Sequence, residues 1–184
     1  PDSFEYEGKS YTPGSFRDAM GIVPSAYVTM TSFTHHPFGL PFILEVPDNH
    51  AHGAFWNVPL DDLESTVRHA LSEGYTVAWD ADVSNHGFSF KNGWAIMPEA
   101  AASAKEWETL GQMPEEPTVD QAMRQSAFDS QENTDDHLMH IVGLAEDAKG
   151  RSYFIIKNSW GDGNAYGGRQ FVSMSYFRHH TIGI

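Results

Sequence analysis

Two short segments in the last third of the chain hold side chains that together can move a proton. Leu138 to Ala145 and Ser152 to Lys157 are β-rich runs joined by Glu146 to Arg151, with Gly150 near the tip, the pattern of an antiparallel hairpin. If Ala145 pairs with Ser152, Asn158 falls opposite Met139 and two positions from His137, a diagonal within side-chain reach. The Asn158 amide oxygen can then accept one ring N–H of His137. That bond fixes the tautomer and leaves the other ring nitrogen as a base toward a nucleophile. Trp160, two residues on, is positioned to cover the bond from water and so strengthen it. Asp136 directly precedes the histidine, where it either tunes the imidazolium electrostatically or serves as an exposed turn acid.

Other polar groups compete with this pair. His140 is close by but falls mid-strand, and it reads as a structural or surface histidine. His35-His36, His50-x-His52 and His179-His180 supply further imidazoles. No third and fourth ligand at a suggestive spacing accompanies any of them, and flanking Pro and Gly mark loops, so neither metal nor cofactor is expected. Asp80 and Asp82 have the residue types of a glycosidase carboxylate pair, yet at i, i+2 on a buried strand they read as caps of its end. Gly161-Asp162-Gly163 lacks the following helix of a phosphate loop. A serine hydrolase using the same base is a minor reading, since no serine sits in a G-x-S-x-G turn.

The elements that must position these groups follow from pattern. Thr12-Pro13 offers an N-cap and a first-turn proline for a short helix over Ser15 to Met20, stopped at Gly21. Tyr27 to Thr34 and Phe42 to Val46 read as strands. In Pro59 to Ser72, Leu60, Leu63, Val67, Ala70 and Leu71 share one helical face, with Asp61, Asp62 and Glu64 at the positive end of the helix dipole and Gly74 as stop. Tyr75 to Asp82 is a buried strand under that helix. Thr118-x-x-Gln121 matches a capping box for a helix to about Phe128. Arg169 to Ser175 is a third strand after the glycine-rich Gly161 to Gly168 turn. The class is α+β, an antiparallel sheet with two or three helices in a single domain over 1–184.

Composition bounds the chemistry. The chain has 184 residues, 40% hydrophobic and 13% aromatic, with net charge −14 and no cysteine. Such a chain can fill one core, and it supplies no disulfide, thiolate metal site or cysteine nucleophile. Its acidity argues against nucleic-acid and anionic-membrane partners. No apolar run approaches the roughly 20 residues of a membrane-spanning helix. Acids outnumber cations ten to two between Glu99 and Asp136, so 99–136 reads as an acidic excursion over the surface.

Asp136-His137-Leu138-Met139 ending at Gly143, followed by Lys157-Asn158-Ser159-Trp160-Gly161 and a glycine-rich turn into a strand, resembles the His and Asn portions of papain-like cysteine peptidases. Asn57-Val58-Pro59-Leu60 with its helix, Tyr75 to Val83, and R-Q-x-x-F-D at Arg124 to Asp129 look most like the bleomycin hydrolase/aminopeptidase C branch. The resemblance covers most of residues 10 to 180. It implies His137 as general base, Asn158 as its orienter, Trp160 as shield and Asp136 in support. It also implies a half-barrel of the papain-like fold, a peptide substrate, self-association into hexamers and a cytoplasmic location. The Q-x-x-x-C-G-x-C-W segment that carries the family's nucleophile is absent. The chain, which opens on Pro, is therefore read as the C-terminal, base-bearing half, with a cysteine-bearing N-terminal half as partner. A non-catalytic papain-like binding or structural module is the alternative. Aminopeptidase specificity rests on the resemblance alone.

Overall fold

The computed structural model describes residues 1–97 and 113–184. In chain order its elements are β1 (Phe4–Tyr6), β2 (Lys9–Tyr11), α1 (Pro13–Ala19), β3 (Met30–Thr31), β4 (Leu40–Ile43), β5 (Ala54–Asn57), α2 (Leu60–Ser72), β6 (Val77–Ala81), β7 (Phe88–Ser89) and β8 (Trp94–Ala95). After residues 98–112 come α3 (Gln121–Asp129), β9 (His137–Glu146), β10 (Ser152–Lys157), β11 (Arg169–Ser173), α4 (Met174–His180) and β12 (Thr181–Gly183). The architecture is α+β, with four α-helices among the described residues. A seven-stranded sheet in the order β12-β6-β9-β10-β11-β8-β7 curls into a half-barrel, beside a three-stranded β3-β5-β4 sheet and the β1-β2 hairpin. The long strands pair antiparallel as expected, while β11–β8 and β3–β5 are parallel contacts.

Helix α2 forms where its pattern places it. Leu60, Leu63 and Val67 are buried against the sheet and Asp61 and Asp62 occupy the first turn. Each such aliphatic side chain contributes about 1.5–3 kcal/mol by leaving water. The core under it joins Val67, Trp79, Met139, Ile141, Phe154, Ile156, Val172 and Phe177. Trp79 is wholly buried and spends its single polar group on Thr181, Nε1 donating to Oγ1 at 2.8 Å. Thr12 caps α1 through a reciprocal Thr12/Ser15 box.

Four expectations are corrected. The strand expected over Tyr27 to Thr34 shortens to Met30–Thr31, which pairs with Trp56 and Asn57 on one side and Ile184 on the other, because the backbone of Ser32, Phe33 and Thr34 bonds the side chains of Arg124, Asn57 and Gln125 instead. The helix expected from Thr118 begins at Gln121, capped by Asp120, whose side chain accepts from Met123 N at 2.8 Å. Gln121 instead turns inward, its Oε1 accepting from Leu60 N and Ser32 Oγ. The third strand ends at Ser173, whose hydroxyl caps the unanticipated α4 by accepting from Tyr176 N. His179 and His180 lie on that helix and are buried rather than in a surface loop.

Of the acidic stretch, residues 99–112 lie outside the described residues. From Met113 onward the segment is tied down: Met113 and Val119 are buried with Trp94, Ile96 and Met97. Arg124 is 1% exposed. It sits with its guanidinium carbon 4.5 Å from the Phe33 ring centroid and donates to the carbonyls of Ser32 and Arg178. Burial pulls its pKa down to about 9.

Candidate active site

The hairpin β9–β10 sets the site, and its register carries a detail the sequence does not announce. Next to the turn, Ser152 pairs with Glu146 and Tyr153 with Ala145, one position off the expected pairing. A bulge between Ile155 and Ile156 leaves Val142 unopposed, so Ile156 pairs with Ile141 and Lys157 with His140. Beyond the bulge the register is the expected one, and His137 and Asn158 come to the same diagonal.

His137 Nε2 lies 2.9 Å from Asn158 Oδ1. The same oxygen accepts Ser159 N–H at 2.8 Å. A backbone N–H can only donate, so the atom it meets is the carbonyl oxygen, which in turn requires the hydrogen on His137 Nε2. The Nδ1 atom is left as the basic nitrogen, and it has no hydrogen bond among the described residues. Trp160 stacks on the imidazole, ring centroids 4.9 Å apart and planes 20° apart. Phe88 and Phe90 hold the indole edge-on at 5.8 and 5.5 Å. Asn158 is buried, His137 is half-buried, and Ser159 and Trp160 are exposed, so the bond lies at the boundary between the core and the surface.

Asp136 makes no hydrogen bond to the imidazole. Its carboxylate accepts from Val83 N at 3.2 Å and from Thr134 Oγ1 at 2.7 Å. Asp82, buried, accepts from Ser84 N and Thr134 N. Together the two acids lace residues 134–136 onto the end of β6, which fixes where β9 starts and therefore where His137 stands. His140 is exposed and bonds Thr76 Oγ1 at 2.7 Å, one residue before β6, a surface role. Asp80 and Asp135 form a separate acid pair. Burial, with the Asp135 and Asp48 charges alongside, pushes the Asp80 carboxyl up to about 8.

The Gly161 to Gly168 turn shapes the far side. Gly168 has φ +77°, and a Cβ there would strike the Gly161 carbonyl, so this position requires glycine. Gln170 was not singled out by residue type. It follows the turn on β11, is fully buried, and its Oε1 lies 3.4 Å from Asn158 Nδ2. The signal that could have found it is strand alternation, since Gln170 shares the inward face of Val172. His35 and His36 pack on Phe42 and, for His35, on Phe128. Among the described residues no three His, Asp or Glu side chains are grouped to hold a metal ion, and no helix is long and apolar enough to cross a membrane.

The Peptidase C1-like family model matches residues 4–184. No curated protein matches the chain. Among solved structures, PepW from Lactobacillus rhamnosis HN001 (DR20) superposes with a TM-score of 0.71 at 17% identity, over 98% of this chain and 41% of that one. The bromelain protease from Ananas comosus in complex with the E64 inhibitor matches at 15% identity and TM-score 0.39, over 65% of this chain and 43% of that one. The Amb a 11 cysteine protease of ragweed pollen matches at 21% identity and TM-score 0.36, over 68% and 30%. The chain spans about two fifths of the length of PepW.

Proposed function

The chain belongs to the Peptidase C1-like family, and from that premise we propose that it is the base-bearing portion of a thiol aminopeptidase of the bleomycin hydrolase/aminopeptidase C type. The observation that carries the reading is the 2.9 Å bond from His137 to Asn158 under Trp160. This sequence holds no cysteine, so the thiol comes from a polypeptide portion outside it. His137 Nδ1 takes the thiol proton, and the thiolate attacks the scissile carbonyl carbon of a peptide. The imidazolium, its Nε2–H held by Asn158, then protonates the departing amine as the tetrahedral intermediate collapses to a thioester. Water, deprotonated by the same nitrogen, hydrolyses that thioester and returns the thiol. Trp160 keeps solvent from the bond that strengthens when the ring becomes charged. Self-association of the assembled enzyme belongs to the same proposal.

The test is hydrolysis of fluorogenic aminoacyl amides by this chain alone and by its assembly with a cysteine-bearing N-terminal portion. The expected result is no turnover by the chain alone. The assembly should turn over, be blocked by thiol alkylation and be inactive as His137→Ala. Unchanged turnover in that variant sinks the reading. The absence of cysteine favours one second reading, a non-catalytic module of the same fold. Failure of any cysteine-bearing portion to yield turnover would select it.

A further inference from the structure

Gln170 occupies a position where the fold asks for an apolar side chain. It lies on β11 opposite Ile156 and on the inward face of Val172, and like both it is fully excluded from solvent. A carboxamide in that setting is costly unless both of its ends are bonded. Only one is. Oε1 accepts from Asn158 Nδ2, and Nε2 has no partner among the described residues. Its one partner is the residue that holds His137.

We propose that Gln170 is a positioning residue for the His137–Asn158 pair, locking the Asn158 amide so that its oxygen faces the imidazole. The inference rests on the dyad reading given above. Asn158 has two donors and one oxygen. Ser159 N–H anchors the oxygen from the chain itself, but one anchor leaves the amide plane free to rock about it. The Gln170 oxygen supplies a second, on the opposite end of the amide, and two anchors fix a plane where one fixes a direction. A flip of Asn158 would set its Nδ2 against both Ser159 N–H and His137 Nε2–H and strand the Gln170 oxygen. The costly buried amide is thus explained by what it does to the next residue inward.

The test uses Gln170→Met, of similar length and without polar ends, and Gln170→Leu as a second shape. In the chain alone, imidazole 15N NMR reads the His137 tautomer, and the exchange of the Asn158 side-chain protons with solvent reads the Gln170 bond in the wild type. The expected result is an Nε2–H tautomer with slowed Asn158 exchange in the wild type, and a mixed tautomer in both variants at an unchanged or higher Tm. In the assembled enzyme kcat falls by about three- to tenfold at unchanged KM, the loss of one neutral hydrogen bond felt by the base. A tautomer that survives in either folded variant overturns the proposal, as does fast Asn158 exchange in the wild type. A wild-type His137 found as the Nδ1–H tautomer overturns the dyad reading instead, a separate outcome from either of those.

Discussion

Asn158→Ala removes three hydrogen bonds at once, and their surroundings decide what each loss costs. The Ser159 N–H, 2.8 Å from the Asn158 oxygen, sits on an exposed residue and turns to water, so its loss costs little. The His137 ring is half-buried and exchanges a 2.9 Å partner for partial solvation, about 0.5–1 kcal/mol. Gln170 suffers most. Its Nε2 is already unpartnered, so the variant strands the whole buried amide, a penalty of about 1–3 kcal/mol. The sum is about 1.5–4 kcal/mol, and at about 2–4 °C per kcal/mol for a chain of this size the Tm should fall by about 3–16 °C. The catalytic effect is computed differently. Only the increment that appears when the imidazole becomes charged lowers the barrier: the bond rises from about 1 kcal/mol to about 1.5–3 as donor and charge combine. That difference, about 0.5–2 kcal/mol, predicts a kcat about 2- to 30-fold lower at unchanged KM. Thermal unfolding of the chain followed by circular dichroism checks the first figure, and turnover by the assembled enzyme the second. A Tm within about 1 °C of wild type would show that Gln170 does not depend on Asn158. A loss confined to KM would show that the bond acts on substrate binding and not on the base.

Three further perturbations follow from other parts of the structure. Asp80 keeps its proton in the fold up to about pH 8 but releases it near 3.8 when unfolded, so between those values the folded state binds more protons. The acid pair's stabilisation is therefore whole below pH 3.8 and fades as pH rises toward 8. Asp80→Asn, which holds an amide where that proton sat, should match wild type near pH 4 and exceed it in Tm at pH 8; a lower Tm at pH 8 refutes the raised Asp80 pKa. Gly168→Ala puts a Cβ against the Gly161 carbonyl at φ +77° and should cost at least about 2 kcal/mol. Unfolding in urea would measure it, and a cost under about 0.5 kcal/mol would mean the turn relaxes. Trp160→Ala uncovers the His137–Asn158 bond while removing a ring that is 45% exposed, so kcat should drop by about three- to tenfold with little loss of Tm. An unchanged kcat would remove the shielding role.

How much of this the sequence carried depends on how far apart the partners lie. Helix α2 and the hairpin β9–β10 are legible because their signals are local: a 3.6-residue stripe and two β-rich runs around a glycine turn. His137 and Asn158 are 21 residues apart and joined by that hairpin, so pairing logic reaches them. The bulge at Val142 does not show in residue types. It left the register wrong near the turn and right at the site only because the expected pairing was offset by the same one residue. The α4 helix was hidden because Arg169 to Ser175 continues a β pattern, and a serine hydroxyl, not a glycine or proline, ends the strand. Arg124 and Gln121 were invisible in a different way. Their partners, Ser32 and Leu60, lie 92 and 61 residues away, and no local pattern says that a guanidinium in an acid-rich stretch will be buried.

The same distance argument applies to the groups around the His137 ring, which lie close together in one sheet. The groups that bond or cover the His137 ring come from one seven-stranded sheet or its immediate flanks. Asn158 and Trp160 lie at the end of β10, Gln170 is on β11, Phe88 is on β7 and Phe90 follows it, and Asp82 with Asp136 pin the start of β9. Those strands are neighbours in one sheet, so the ring's tautomer and direction are set by hydrogen bonds the sheet already enforces. On the proposed reading, what this unit offers a thiol is the His137 Nδ1 lone pair, the ring nitrogen that Asn158 leaves free.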